Sequence, residues 1–80
     1  MTIKNHILNY YNWTKNNLGY FNTSDIHNLS ERGIVAFGKR LGSPSTYERE
    51  FRRLKEEGQI NVDETKHSNK RESTWIINRK

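Results

Sequence analysis

The chain contains no cysteine. Disulfides are therefore excluded, and a structural zinc site is a poor fit, because such sites in small domains draw on thiolate ligands. Apolar residues are also scarce, at 31% of the chain. No hydrophobic run approaches the roughly 18 residues that a membrane-spanning helix needs, and the first residues carry no signal-peptide pattern. No membrane partner is expected, and a soluble intracellular protein is. No glycine-rich phosphate loop, paired carboxylates or nucleophile–base spacing occurs, so neither an enzyme nor a cofactor or metal is expected.

What is present is aromatic and basic. Eighty residues make one small domain, 1–80, whose surface-to-volume ratio leaves a modest stability margin. Two Trp, four Tyr and three Phe supply most of the available buried area. The formal charge of +5 and a pI near 9.8 favour a polyanionic partner. Ten asparagines beside abundant Lys, Ile and Tyr suit an AT-rich coding sequence, as in a low-GC bacterium or its phage. The expected location is the bacterial cytoplasm, or the host cytoplasm for a phage protein.

Periodicity predicts a first amphipathic helix over 2–18. Ile3, Ile7, Tyr10, Thr14 and Leu18 form its stripe, Leu8 and Tyr11 stand beside it, and Gly19 ends it. Asparagine and aromatic residues are mediocre helix formers, so packing must hold this segment. Tyr20-Phe21-Asn22 reads as a short edge strand. Thr23, Ser24 and Asp25 offer caps for a short helix at 25–29, residues 30–33 read as a turn, and Ile34, Phe37 and Leu41 mark another short helix at 34–41. Gly38, mid-helix in this reading, implies close approach of a neighbouring helix.

The strongest local signal runs from Ser43 to Ile60: S-P-S-T-Y-E-R-E-F-R-R-L-K-E-E-G-Q-I. Ser43 suits the N-cap, Pro44 the first helical position and Gly58 a left-handed stop, which together predict a helix over 44–57. Tyr47, Phe51 and Leu54 recur at i, i+4, i+7 and stack on one face. At about 100° per residue, Ser45, Arg49 and Arg52 fall on the far side, flanked by Thr46 and Arg53. Ile60 and Val62 then switch to period two, and S-T-W-I-I-N resumes strand character after a charged stretch. A two-stranded hairpin over 59–78 follows, with Trp75 and Ile77 on one face and Lys66, His67, Asn69, Lys70 and Arg71 at its tip.

Helices followed by a hairpin give the order of an α+β winged helix-turn-helix domain, with three to four helices and a two-stranded wing. The residues resemble that family too. S-T-Y-E-R-E-F-R-R-L-K-E-E-G-Q-I is similar to the recognition helix and the start of the wing in bacterial winged-helix regulators, including the multiple-antibiotic-resistance-regulator type. Ser45, Thr46, Tyr47, Arg49, Arg53, Leu54 and Gly58 fill the pattern in order, and A-F-G-K-R-L-G looks like the preceding helix. The resemblance implies duplex DNA binding by a small regulator or accessory protein. It places Ser45, Thr46, Arg49, Arg52 and Arg53 in the major groove, with Lys66, Lys70 and Arg71 on the backbone or minor groove. The chain departs from the pattern in two respects. The stretch before the recognition helix is longer than a minimal motif needs, so both 25–29 and 34–41 qualify as the partner helix, with 34–41 favoured. Glu48, Glu50, Glu56 and Glu57 place acids where phosphate would repel them.

Residue chemistry bears on each of these positions. Arginine is the side chain best suited to bidentate recognition of guanine or phosphate. Glu48–Arg52, Arg52–Glu56 and Arg53–Glu57 are also i, i+4 ion pairs that form a solvated face. Arg49 escapes this pairing, because Ser45 and Arg53 occupy its i−4 and i+4 positions. Helix 2–18, through Tyr10 and Trp13, is the expected face for a homodimer. A module that binds a protein partner, such as a host enzyme, and an RNA-binding module are alternatives compatible with the same residues. His6, His27 and His67 are scattered over three elements and predict no metal site. Ser24 and Asp25 are better explained as caps than as members of a triad with His27.

Overall fold

The computed structural model describes residues 2–66 and 73–78. In chain order the elements are α1 (Ile3–Asn17), β1 (Tyr20–Asn22), α2 (Thr23–Phe37), α3 (Pro44–Glu56), β2 (Val62–Lys66) and β3 (Ser73–Ile77). The architecture is thus a small α+β one, with three helices and a three-stranded antiparallel sheet of order β1-β3-β2.

α1 starts where Thr2 Oγ1 accepts from the Asn5 N–H at 3.1 Å and stops where Leu18 and Gly19 both donate to the Thr14 carbonyl. Gly19 adopts φ 84°, a left-handed conformation that glycine takes without steric cost. The buried stripe is His6, Ile7, Tyr11 and Thr14. Leu18, expected within it, is half exposed because it caps the helix instead of continuing it.

The expected pair of short helices at 25–29 and 34–41 is one continuous helix, α2. Ser30 and Gly33 read locally as turn residues, yet they lie on the buried face with Ile26 and Leu29. Ser30 Oγ donates to the His27 carbonyl at 2.9 Å, satisfying its hydroxyl within the helix. Gly33 lies against α3, where an added Cβ would stand 3.7 Å from the Tyr47 hydroxyl. Tertiary packing therefore overrides weak local propensity. Asn22 is the N-cap, and Asp25 Oδ2 accepts from its N–H at 2.8 Å. The helix ends at Gly38, which has φ 77° and no atom within 4 Å of where a Cβ would sit. Gly38 is thus a C-cap and not a helix-crossing point, and 38–41 is not helical. The buried frame turns Ile34 toward solvent and leaves Val35, on the opposite face, 91% exposed.

α3 matches its expected limits closely. Ser43 Oγ accepts from the Thr46 N–H at 3.2 Å. At the far end Gly58 donates to the Lys55 carbonyl and Gln59 to the Leu54 carbonyl, the paired bonds that close a helix through a left-handed glycine. Tyr47, Phe51 and Leu54 are its buried residues.

The β2–β3 hairpin is not the whole sheet. β2 pairs with β3 from Val62↔Ile77 to Lys66↔Ser73, while β1 adds a third strand through Tyr20↔Ile76, Phe21↔Trp75 and Asn22↔Thr74. Thr74 Oγ1 donates to Asn22 Oδ1 at 3.1 Å across that third seam. Trp75 and Ile77 face inward as expected, and Ile76 faces out beside Tyr20. The core that positions α3 is an edge-to-face aromatic series. Tyr10 meets Phe21, Phe21 meets Phe51 and Phe51 meets Trp75, with centroids 5.9, 5.6 and 5.1 Å apart. The Lys55 ammonium lies over the Trp75 ring at 4.6 Å, covering the series on its solvent side.

Candidate nucleic-acid interface

Because Tyr47, Phe51 and Leu54 anchor one face of α3, helix geometry turns Ser45, Arg49, Arg52 and Arg53 outward. All four are exposed. Thr46 is half buried, with its N–H and hydroxyl both engaged by Ser43. That residue serves the helix start first, and Ser45 is the hydroxyl left on the open face.

The glutamates are distributed differently from the expected i, i+4 ladder. Glu48 pairs with Arg52 at 3.5 Å, as spacing predicts. Arg53 turns instead to Glu50, at 3.9 Å and i, i+3, so its expected pair with Glu57 is not formed. Arg52 is directed to Glu48 and not to Glu56. Among the described residues Arg49 enters no ion pair. It is the same cation that spacing leaves without an acid at i−4 or i+4.

Glu48 has a second partner that spacing does not reveal. His27 Nε2 from α2 approaches Glu48 Oε1 at 2.7 Å. This bond is the largest influence holding the Glu48 carboxyl below its usual range; partial burial opposes it and Arg52 assists. Glu48 is thus an acid ionised at neutral pH, with a hydrogen bond from His27 on one oxygen and the Arg52 charge beside the other. Twenty-one residues separate the partners, so no local pattern marks the pair.

The segment 38–43 adds cations that the expected helix 34–41 had placed elsewhere. Lys39 and Arg40 are exposed there, immediately before α3, and Arg40 reaches Glu31 at 3.6 Å. Lys66 ends β2 opposite Ser73. Lys70 and Arg71 lie outside the described residues. A shallow depression lined by Thr2, Ile3, Lys4, Leu41 and Glu50 lies on the α1 side of α3.

Behind the site, His6 ties α1 to α3. Its Nδ1 lies 2.7 Å from the Tyr47 hydroxyl, and its ring meets Phe37 edge-on at 4.9 Å. Burial, and secondarily the Arg32 charge, push the His6 pKa below its usual 6.5. The folded state thus binds a proton less readily than the unfolded chain, and acid favours unfolding. This contribution is intact above pH 6.5 and is lost as pH falls from 6.5 through the folded pKa. The melting temperature is expected to drop between pH 7.5 and 5.5, and His6→Gln should flatten that drop. An equal slope in the variant would show that another group carries it.

His6 contacts Tyr47 and His27 contacts Glu48, His67 lies outside the described residues, and among the described residues no group of three or more His, Asp or Glu side chains could hold a metal ion. Ser24, Asp25 and His27 form no triad: Asp25 serves the cap and His27 serves Glu48. Among the described residues no helix is long and apolar enough to cross a membrane. The aromatic side of α1 is partly open, with Trp13 half exposed and Tyr10 stacked on it at 6.2 Å. Comparison with protein-family models, with curated proteins and with solved structures returned no match, so the functional reading rests on this chain's own residues.

Proposed function

We propose that this protein is a winged helix-turn-helix module that binds duplex DNA, as a small bacterial or phage regulator or accessory protein. α2 and α3 form the helix pair, 38–43 the turn, and the β2–β3 hairpin the wing. The observation that carries the reading is Arg49: exposed, central on the outer face of a well-capped helix, and free of any acid among the described residues. Arg49 is the principal contact, with Ser45, Arg52 and Arg53 around it. The basic residues Lys66, Lys70 and Arg71 extend the contact to the flanking backbone. A net charge of +5 supplies the long-range attraction.

Binding dominated by phosphate contacts weakens with salt, with a log–log slope of about −0.9 per neutralised phosphate. A gel shift on random-sequence duplex across a salt series is expected to give a slope of roughly −3 or steeper, as three or more contacts require. Retention that ignores salt, or none at low salt, would remove the reading. Stronger competition by RNA than by duplex would redirect it.

A protein partner is the second reading. Its specific support is the apolar surface left open by Trp13, Leu18, Tyr20 and Ile76. Salt-insensitive capture of a single protein, without DNA retention, would favour it. A homodimer through α1 would instead let two copies read half-sites about 34 Å apart.

A further inference from the structure

Three side chains from two helices form a continuous polar chain along one flank of α3. His27 Nε2 contacts Glu48 Oε1 at 2.7 Å, and Arg52 Nε faces Glu48 Oε2 at 3.5 Å. Each carboxylate oxygen thus has its own partner. Glu48 is for that reason unsuited to accept from cytosine N4, the base contact open to a free glutamate. The closest approach of Arg52 is made through Nε, which leaves the Nη1/Nη2 end of the fork for another acceptor. Arg52 itself is exposed on the same stripe as Ser45 and Arg49.

We propose that Arg52 reads guanine in the major groove, with its guanidinium aimed by Glu48 and Glu48 in turn anchored by His27. The inference rests on the duplex-binding reading and adds a source of base specificity to it. An unpaired arginine brings full charge but no fixed direction, which suits Arg49 to strong contact. An arginine held at Nε brings less net charge and a defined direction. Bidentate pairing with guanine O6 and N7 depends on that direction, whereas phosphate attraction depends on charge. A guanidinium ordered before binding also loses less side-chain freedom when the complex forms. Glu48 and His27 are positioning residues in this scheme, since neither touches the base.

The test begins with duplexes selected by the wild-type protein from a random pool. Affinity is then measured for the best duplex and for its single base-pair variants, and the salt slope is measured on random duplex. Wild type is expected to discriminate by about tenfold or more at one G·C position. Arg52→Lys keeps the charge but lacks the fork, and is expected to lose that discrimination with an unchanged salt slope. Glu48→Gln and His27→Ala should weaken discrimination several-fold at the same position while binding random duplex at least as well as wild type. His27→Gln, whose amide can still donate to Glu48, should restore it. A merely structural role for His27 would lower melting temperature and random-duplex affinity together, and would overturn the positioning scheme. Salt-dependent binding with no guanine preference, or one untouched by Arg52→Lys, would overturn the assignment of Arg52 while leaving duplex binding in place. Absence of any duplex binding by wild type would remove the underlying reading as well.

Discussion

Phe51→Ala is expected to bring the domain to the edge of unfolding at room temperature. Phe51 is 2% exposed and is the middle ring of the buried series, meeting Phe21 on one side and Trp75 on the other. Truncating a buried phenylalanine costs about 3–5 kcal/mol, from lost transfer energy and the cavity left behind. Each edge-to-face pair contributes roughly 0.5–1.5 kcal/mol beyond its area. An 80-residue domain has only about 4–12 kcal/mol in total, at 0.05–0.15 kcal/mol per residue. The melting temperature should therefore fall by roughly 15 °C or more. Circular dichroism on heating and urea titration would both report the change. A near-native melting temperature would mean that α3 is not held through this residue. The consequence reaches function, because Phe51 fixes the face of α3 that turns Arg49 outward.

Arg49→Ala combined with Lys70→Ala is expected to abolish detectable duplex binding while leaving the fold intact. Arg49 is exposed and contributes no ion pair among the described residues, so its removal exposes no unpaired partner. A well-placed arginine contact contributes about 1–3 kcal/mol. Two lost phosphate contacts would also flatten the salt slope by about 1.8. Loss of both contributions should weaken affinity a hundredfold or more, with an unchanged circular dichroism spectrum. Undiminished affinity in the double variant would sink the assignment. Loss of affinity accompanied by unfolding would point instead to a structural role for one of the two positions.

The two experiments probe different links of one chain of cause. Phe51 tests how the core sets the orientation of α3, and Arg49 tests what the exposed face does once oriented. Glu48 shows why orientation matters as much as composition. On the sequence it is an acid misplaced on a basic helix. In the fold it is bound from both sides: His27 holds one oxygen by a hydrogen bond, and the Arg52 charge offsets the repulsion it would present to phosphate.

Some of this was legible from residue order alone, and the dividing line is the range over which a signal acts. The limits of α3 were readable because Ser43, Pro44 and Gly58 act through hydrogen bonds and backbone preferences within a few residues. The inward face of Trp75 and Ile77 followed from strict alternation, and the uncommitted state of Arg49 followed from its i−4 and i+4 neighbours. Tertiary structure decided what those ranges do not reach. α2 runs unbroken through Ser30 and Gly33 because both lie on its buried face, where the lost propensity is recovered by packing. β1 becomes a full sheet member because β3 supplies its hydrogen bonds from the far end of the chain. His27 finds Glu48 only when α2 and α3 pack together, and His6 finds Tyr47 across 41 residues. Contacts of that span leave no periodic trace, so the chain by itself determined which helix carries the cations and that Arg49 has no acid at i−4 or i+4, while only packing brought His27 to Glu48.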